Sequence, residues 1–114
     1  MPSGKPFMSE KYYILEFYVP EANLEDVLNA IFEAGAGQYR NYDRCAWTTK
    51  GTGRFRPLEG SDPHIGELNR DEFVSEIKVE CMVSDENAAK VKQALLREHP
   101  YEEPAYHFIV KNII

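Results

Sequence analysis

Phe73-Val74-Ser75-Glu76-Ile77-Lys78-Val79-Glu80-Cys81-Met82-Val83 alternates apolar and polar residues with period two. Successive side chains of a strand point to opposite faces, so Ile77, Val79, Cys81 and Val83 share one face and Glu76, Lys78, Glu80 and Met82 the other. This is a strand with one buried side. Downstream, Ser84 with Asp85 and Glu86 opens a helix whose buried stripe is Ala88, Val91, Ala94 and Leu95, with Leu96 at its margin. His99-Pro100-Tyr101-Glu102-Glu103-Pro104-Ala105-Tyr106 ends that helix. The two prolines fix their own φ and push His99 and Glu103 out of the α region, so the segment is a stiff extended connector. It leads into a last strand, Ala105 to Val110.

Upstream, Gly51 to Arg70 holds four glycines and two prolines and no helical period; it is expected to be a long loop. Before it, Tyr39 to Thr49 reads as a bulged strand carrying Tyr39, Tyr42, Cys45 and Trp47. Leu24, Val27, Leu28, Ile31 and Phe32 recur at helical spacing and predict an amphipathic helix, with Glu21 or Asn23 near its start and Gly35 at its end. Tyr12 to Val19, Tyr-Tyr-Ile-Leu-Glu-Phe-Tyr-Val, is aromatic and β-branched, and apolar on both faces. Residues 1–10 read as a flexible arm, with Met8 a second candidate start, and 11–114 as one domain.

The order is β-α-β-β-α-β. Right-handed crossovers place the first and third strands centrally in an antiparallel sheet with both helices on one face, an α+β, ferredoxin-like arrangement. The apolar second face of the first strand and the aromatic outer strands need cover, which predicts self-association.

The 114 residues suit one modest core, and a net charge of −6 argues against nucleic acid and anionic membranes. No apolar run approaches ~18 residues, so no transmembrane helix is expected, and no signal peptide is visible. Cys45 and Cys81 are not in metal-type spacing; the expectation is two free thiols in the cytoplasm. Glu102 and Glu103 are adjacent, so in extended chain they face opposite ways and cannot form a dyad with each other. They are either solvated acids or part of a site completed by other groups. His99 stands where a helix C-terminus favours a cation, and capping is its expected role. His64 and His107 are weak metal candidates, since no histidine pair has a ligand spacing. Gly51-Thr52-Gly53 lacks P-loop features; with Arg54 and Arg56 it could present N–H groups and cations to an anion, or simply turn the chain.

Val19-Pro20-Glu21, Phe32-Glu33-Ala34-Gly35-Ala36-Gly37, Asn41-Tyr42-Asp43-x-Cys45, Gly51-Thr52-Gly53-x-Phe55-x-Pro57-Leu58-Glu59-Gly60, Pro63-x-Ile65-Gly66-Glu67 and His99 to Tyr106 run in order along nearly the whole chain. Through them the chain resembles the CutA/PII-like insert domain of the NGG-one-interacting factor three-like family (YqfO-type, GTP cyclohydrolase I type 2-like proteins). The resemblance implies a domain that, in longer members, interrupts an α/β protein with a dinuclear metal site. The flanking halves with the metal ligands do not occur in this sequence, so that chemistry is not carried over and no cofactor is named. Small chains of this kind look like CutA and the PII proteins, trimers with ligands in clefts between subunits. Two positions depart from the family pattern: Arg40 stands where glycine is common, and His107 where an acid is common.

The expected function is a non-enzymatic, trimeric module that binds a small ligand or regulates. One alternative is a metal binder or metal-dependent enzyme using His64, His107, Cys45 and the Glu102/Glu103 pair. The other is a docking partner of a larger protein. The expected site joins the Gly51–Pro57 loop to the His99–Tyr106 connector in one cleft. Its residues are Tyr42, Cys45, Gly51, Gly53, Arg54, Phe55, Tyr101, Glu102 and Glu103, with a small anionic ligand or a metal as the guest.

Overall fold

The computed structural model describes residues 11–111; the expected flexible arm, 1–10, lies outside them. Strand β1 (Tyr12–Pro20) passes through a short 3-10 turn into helix α1 (Leu24–Glu33). Strands β2 (Trp47–Phe55) and β3 (Glu72–Ser84) follow, then a second 3-10 turn, helix α2 (Ala88–Glu98) and strand β4 (Tyr106–Lys111). The sheet order is β2-β3-β1-β4, and each neighbouring pair is antiparallel. This is the ferredoxin-like order expected from the sequence, with β1 and β3 central. Neither helix is long and apolar enough to cross a membrane.

Register explains which residues form the core. Leu15, Phe17 and Val19 of β1 stand opposite Cys81, Val79 and Ile77 of β3. That face packs on Val27, Leu28 and Ile31 of α1 and on Val91, Ala94 and Leu95 of α2. The Val, Leu, Ile and Phe side chains among them each contribute roughly 1.5–3 kcal/mol by leaving water. Cys81 lies within this layer; burial pushes its thiol up to about 12, so it behaves as a small apolar residue. The other face of the sheet has no helices. Ile14, Glu16 and Tyr18 there pair with Met82, Glu80 and Lys78, all half-buried, and Lys78 lies 3.9 Å from Glu16 and 4.0 Å from Glu80.

Two expectations about the second strand are corrected. The strand begins at Trp47, not Tyr39, and runs to Phe55, so Gly51 to Phe55 is strand rather than loop. The segment before it turns on itself. Tyr39 and Tyr42 exchange backbone hydrogen bonds of 2.9 and 3.0 Å across a two-residue turn. Arg40 and Arg44 take φ of 54° and 57°, which no strand allows. Gly37 anchors this loop: its N–H donates to Met82 O at 2.8 Å and its C=O accepts from Cys45 N at 2.8 Å. With φ at +80° and Cys45 backbone atoms at 2.7 and 2.8 Å from where a Cβ would sit, the position admits only glycine.

Candidate ligand-binding cleft

A cleft of about 710 Å³ opens where the end of β2, the loop that follows it and the His99–Tyr106 connector meet. That volume falls in the usual range for small-molecule sites, roughly 300–1,000 Å³. The longer β2 carries Phe55 there directly, and the Phe55 and Tyr101 ring centroids are 6.3 Å apart, inclined at 56°.

Tyr101 is the hub. Its ring also meets His64 at 6.3 Å and His99 at 4.9 Å. Its hydroxyl donates to Glu76 Oε2 at 2.6 Å. Partial burial and the adjacent carboxylate both push the phenol's pKa up, so it stays protonated and remains the donor. Glu76 in turn lies across Gly53. A Cβ at that glycine would stand 2.6 Å from the Glu76 Cδ, whereas one at Gly51 would meet nothing. The glycines therefore form neither an anion-cradling loop nor a tight turn; Gly53 is a notch in an edge strand that admits a carboxylate.

His99 locks the connector from beneath. It is 6% exposed, and its Nε2 lies 2.7 Å from Tyr18 O while Tyr101 N–H donates to Nδ1 at 3.1 Å. A carbonyl can only accept and a backbone N–H can only donate, so the proton sits on Nε2 and the ring is neutral. Burial lowers its pKa, opposed by the Tyr18 carbonyl and Glu76. The expectation of a cationic helix cap is corrected in one respect: His99 does stand at the C-terminal cap of α2, its N–H donating to Leu95 O at 2.9 Å, but its ring is neutral and ties the connector to β1. Glu102 holds the long loop, accepting from Asp62 N–H at 3.0 and 3.2 Å.

Phe55, Gly53, Tyr101, Glu102 and Glu103 line the cleft, as does part of Arg54. The Arg54 guanidinium, however, stacks at 4.7 Å over Phe73, its register partner. Phe73 shares the side of the sheet of Ser75 and Ile77, the helix side, whereas Phe55 and Glu76 face the other. Gly51 is outside the cleft. Tyr42 lies 73% exposed in the Tyr39–Tyr42 turn, and Cys45 lines a separate shallow depression with Trp47 and Met82. His64 is on the cleft rim; His107 sits on β4 opposite Glu16. Among the described residues no three His, Cys, Asp or Glu side chains are grouped to hold a metal. Sequence reading missed Glu76 and Tyr18. Glu76 looked like one more polar residue on a strand's solvent face, and only Gly53, diagonal to it on the neighbouring strand and invisible as a partner in sequence, marks it out.

No family model matches the chain. It is 44% identical over 101 residues to the GTP cyclohydrolase 1 type 2 homolog of Halalkalibacterium halodurans, an alignment covering 89% of this chain and 27% of that protein. The chain thus spans about a quarter of the length of the curated relatives it matches. A solved Bacillus cereus protein related to NIF3 superposes with a TM-score of 0.79 at 33% identity, over 93% of this chain and 27% of that one. The periplasmic divalent cation tolerance protein CutA of Archaeoglobus fulgidus gives 0.61 at 15% identity, over 86% and 81%. GlnK of B. subtilis, solved with ATP, gives 0.61 at 13%, over 92% and 85%. The last two share the fold. The chain is therefore a homologue of one part, about a quarter of the length, of the NIF3-related GTP cyclohydrolase 1 type 2 homologs, and that part has a CutA/PII-like fold.

Proposed function

We propose that the protein is a non-enzymatic, homo-oligomeric module, most simply a trimer, that holds a small ligand in the cleft beside Tyr101. The observation that carries this reading is the cleft itself: aromatic walls from two separate segments, with Glu76 fixed between them by the Tyr101 hydroxyl. Binding rather than catalysis is favoured by how the polar groups are used. Both ring nitrogens of His99 are committed to backbone partners, which leaves it no lone pair for general-base work. Self-association is supported by the half-buried Ile14, Tyr18 and Met82 on the helix-free face. Two free cysteines fit the reducing cytoplasm.

Sedimentation velocity at micromolar concentration, run with a thermal-shift panel of small ligands, tests the reading. A trimer that gains stability with one chemical class of ligand is expected. A monomer at that concentration overturns the assembly, and a panel without any saturable ligand overturns the binding role.

A further inference from the structure

Glu76 has an unusual position for an acid. Its side chain is half-buried, and among the described residues it accepts a single hydrogen bond, from Tyr101, and no Lys or Arg lies within ion-pair distance of it. An ionised carboxylate has about four lone-pair sites, so most of its capacity is free. Taking such a charge partly out of water without a counter-ion is costly. Yet Gly53 leaves room for it, and the Tyr101 hydroxyl holds it in place.

The rest of the cleft has the same sign. Glu59, Glu102 and Glu103 line it with Glu76, against two basic residues, Arg54 and Arg56. Arg54 is turned to the helix side over Phe73, which leaves Arg56 as the cation at the mouth. Phe55 and Tyr101 present two inclined aromatic walls, whose faces carry negative quadrupole charge. Carboxylate and aromatic faces together select a weakly hydrated organic cation, held by charge on one side and by cation–π contact on the others.

We infer that the cleft binds the alkylammonium head of a small organic cation, with Glu76 as counter-ion and Phe55 and Tyr101 as walls. This rests on the ligand-binding reading above and specifies its guest. It departs from the anionic ligand that the arginines suggested in the sequence, because the fold aims Arg54 away.

The test uses the full chain and three probes: choline, its uncharged isostere 3,3-dimethylbutan-1-ol, and inorganic triphosphate. Calorimetric titration should show choline binding about tenfold or more tighter than the isostere. Glu76→Gln keeps an oxygen to accept from Tyr101 and should weaken choline about tenfold without changing the isostere. Phe55→Leu should also weaken choline selectively, and Arg97→Ala, at an exposed position of α2 outside the cleft, should leave it unchanged. Circular dichroism establishes that each variant is folded; if Glu76→Gln is not, the Phe55→Leu result decides. Equal binding of choline and the isostere, or choline binding indifferent to Phe55 and Glu76, overturns the inference. Saturable triphosphate binding without choline binding overturns it and leaves the ligand-binding reading intact. Failure of all three probes overturns it too, while the wider ligand panel then judges the broader reading.

Discussion

At the scale of single residues, the Tyr101 hydroxyl and the Gly53 notch make one device. Tyr101→Phe keeps the ring contacts and removes the bond to Glu76; it should cost about 1–2 kcal/mol in denaturant unfolding, as loss of a bond to a charged group does. Gly53→Ala displaces the Glu76 carboxylate and should cost about 1 kcal/mol by loss of the same bond. Gly51→Ala, two residues along the same strand and facing open space, should be neutral or slightly stabilising. Equal effects at the two glycines would show that Glu76 does not occupy the notch. His99 adds a pH dependence. Its folded pKa is lowered, and the unfolded chain returns to the ordinary 6.5. As pH falls through that value the unfolded chain takes up the proton first, so stability is complete above it and declines below. The midpoint of thermal unfolding should therefore fall between about pH 7.5 and about pH 5.5, and His99→Gln should flatten that part of the profile.

Among the elements, legibility followed cover. β3, α1 and α2 each bury a face, and burial writes a period into the sequence that picks out their core residues; β1 was legible by composition instead, since it is apolar on both faces and no alternation singles out Leu15, Phe17 and Val19. β2 is an edge strand, mostly exposed along its length, so nothing imposes alternation on Trp-Thr-Thr-Lys-Gly-Thr-Gly-Arg-Phe. Tyr39 and Tyr42, which look like strand residues by type, sit instead in a turn closed by their own backbones. The cleft was legible in part for the same reason. The prolines fixed the connector, and the aromatic residues at 55 and 101 marked its walls. Arg54 and Cys45 were misplaced because their facing depends on where the strand starts. Gly37 tests the loop's anchor: Gly37→Ala must push aside the Cys45 backbone, and a loss of about 2 kcal/mol or more is expected in thermal or denaturant unfolding.

For the whole molecule, the two faces of the sheet have different fates. One is sealed by helices. The other offers Ile14, Tyr18 and Met82 around the Glu16–Lys78–Glu80 group, apolar enough to be covered and polar enough to remain dissolved. Met82→Glu places a charge in the middle of that face. It should yield a folded monomer by sedimentation and circular dichroism; an unchanged oligomer would move the subunit contact elsewhere, to the strand edges or the loops.

The pairing of β1 with β4 has one more outcome. Tyr12, at the start of β1, stands directly opposite Lys111, at the end of β4. Partners across antiparallel strands lie about 4.5–5.5 Å apart. The described chain thus enters and leaves at nearly one point. A host protein could carry this unit spliced into a single surface turn, with neither half of the host pried apart, and the unit would fold as it does alone. The same closeness means that a short peptide joining the two ends, with new ends opened in the loop after Phe55, should give a circular permutant with the same sheet.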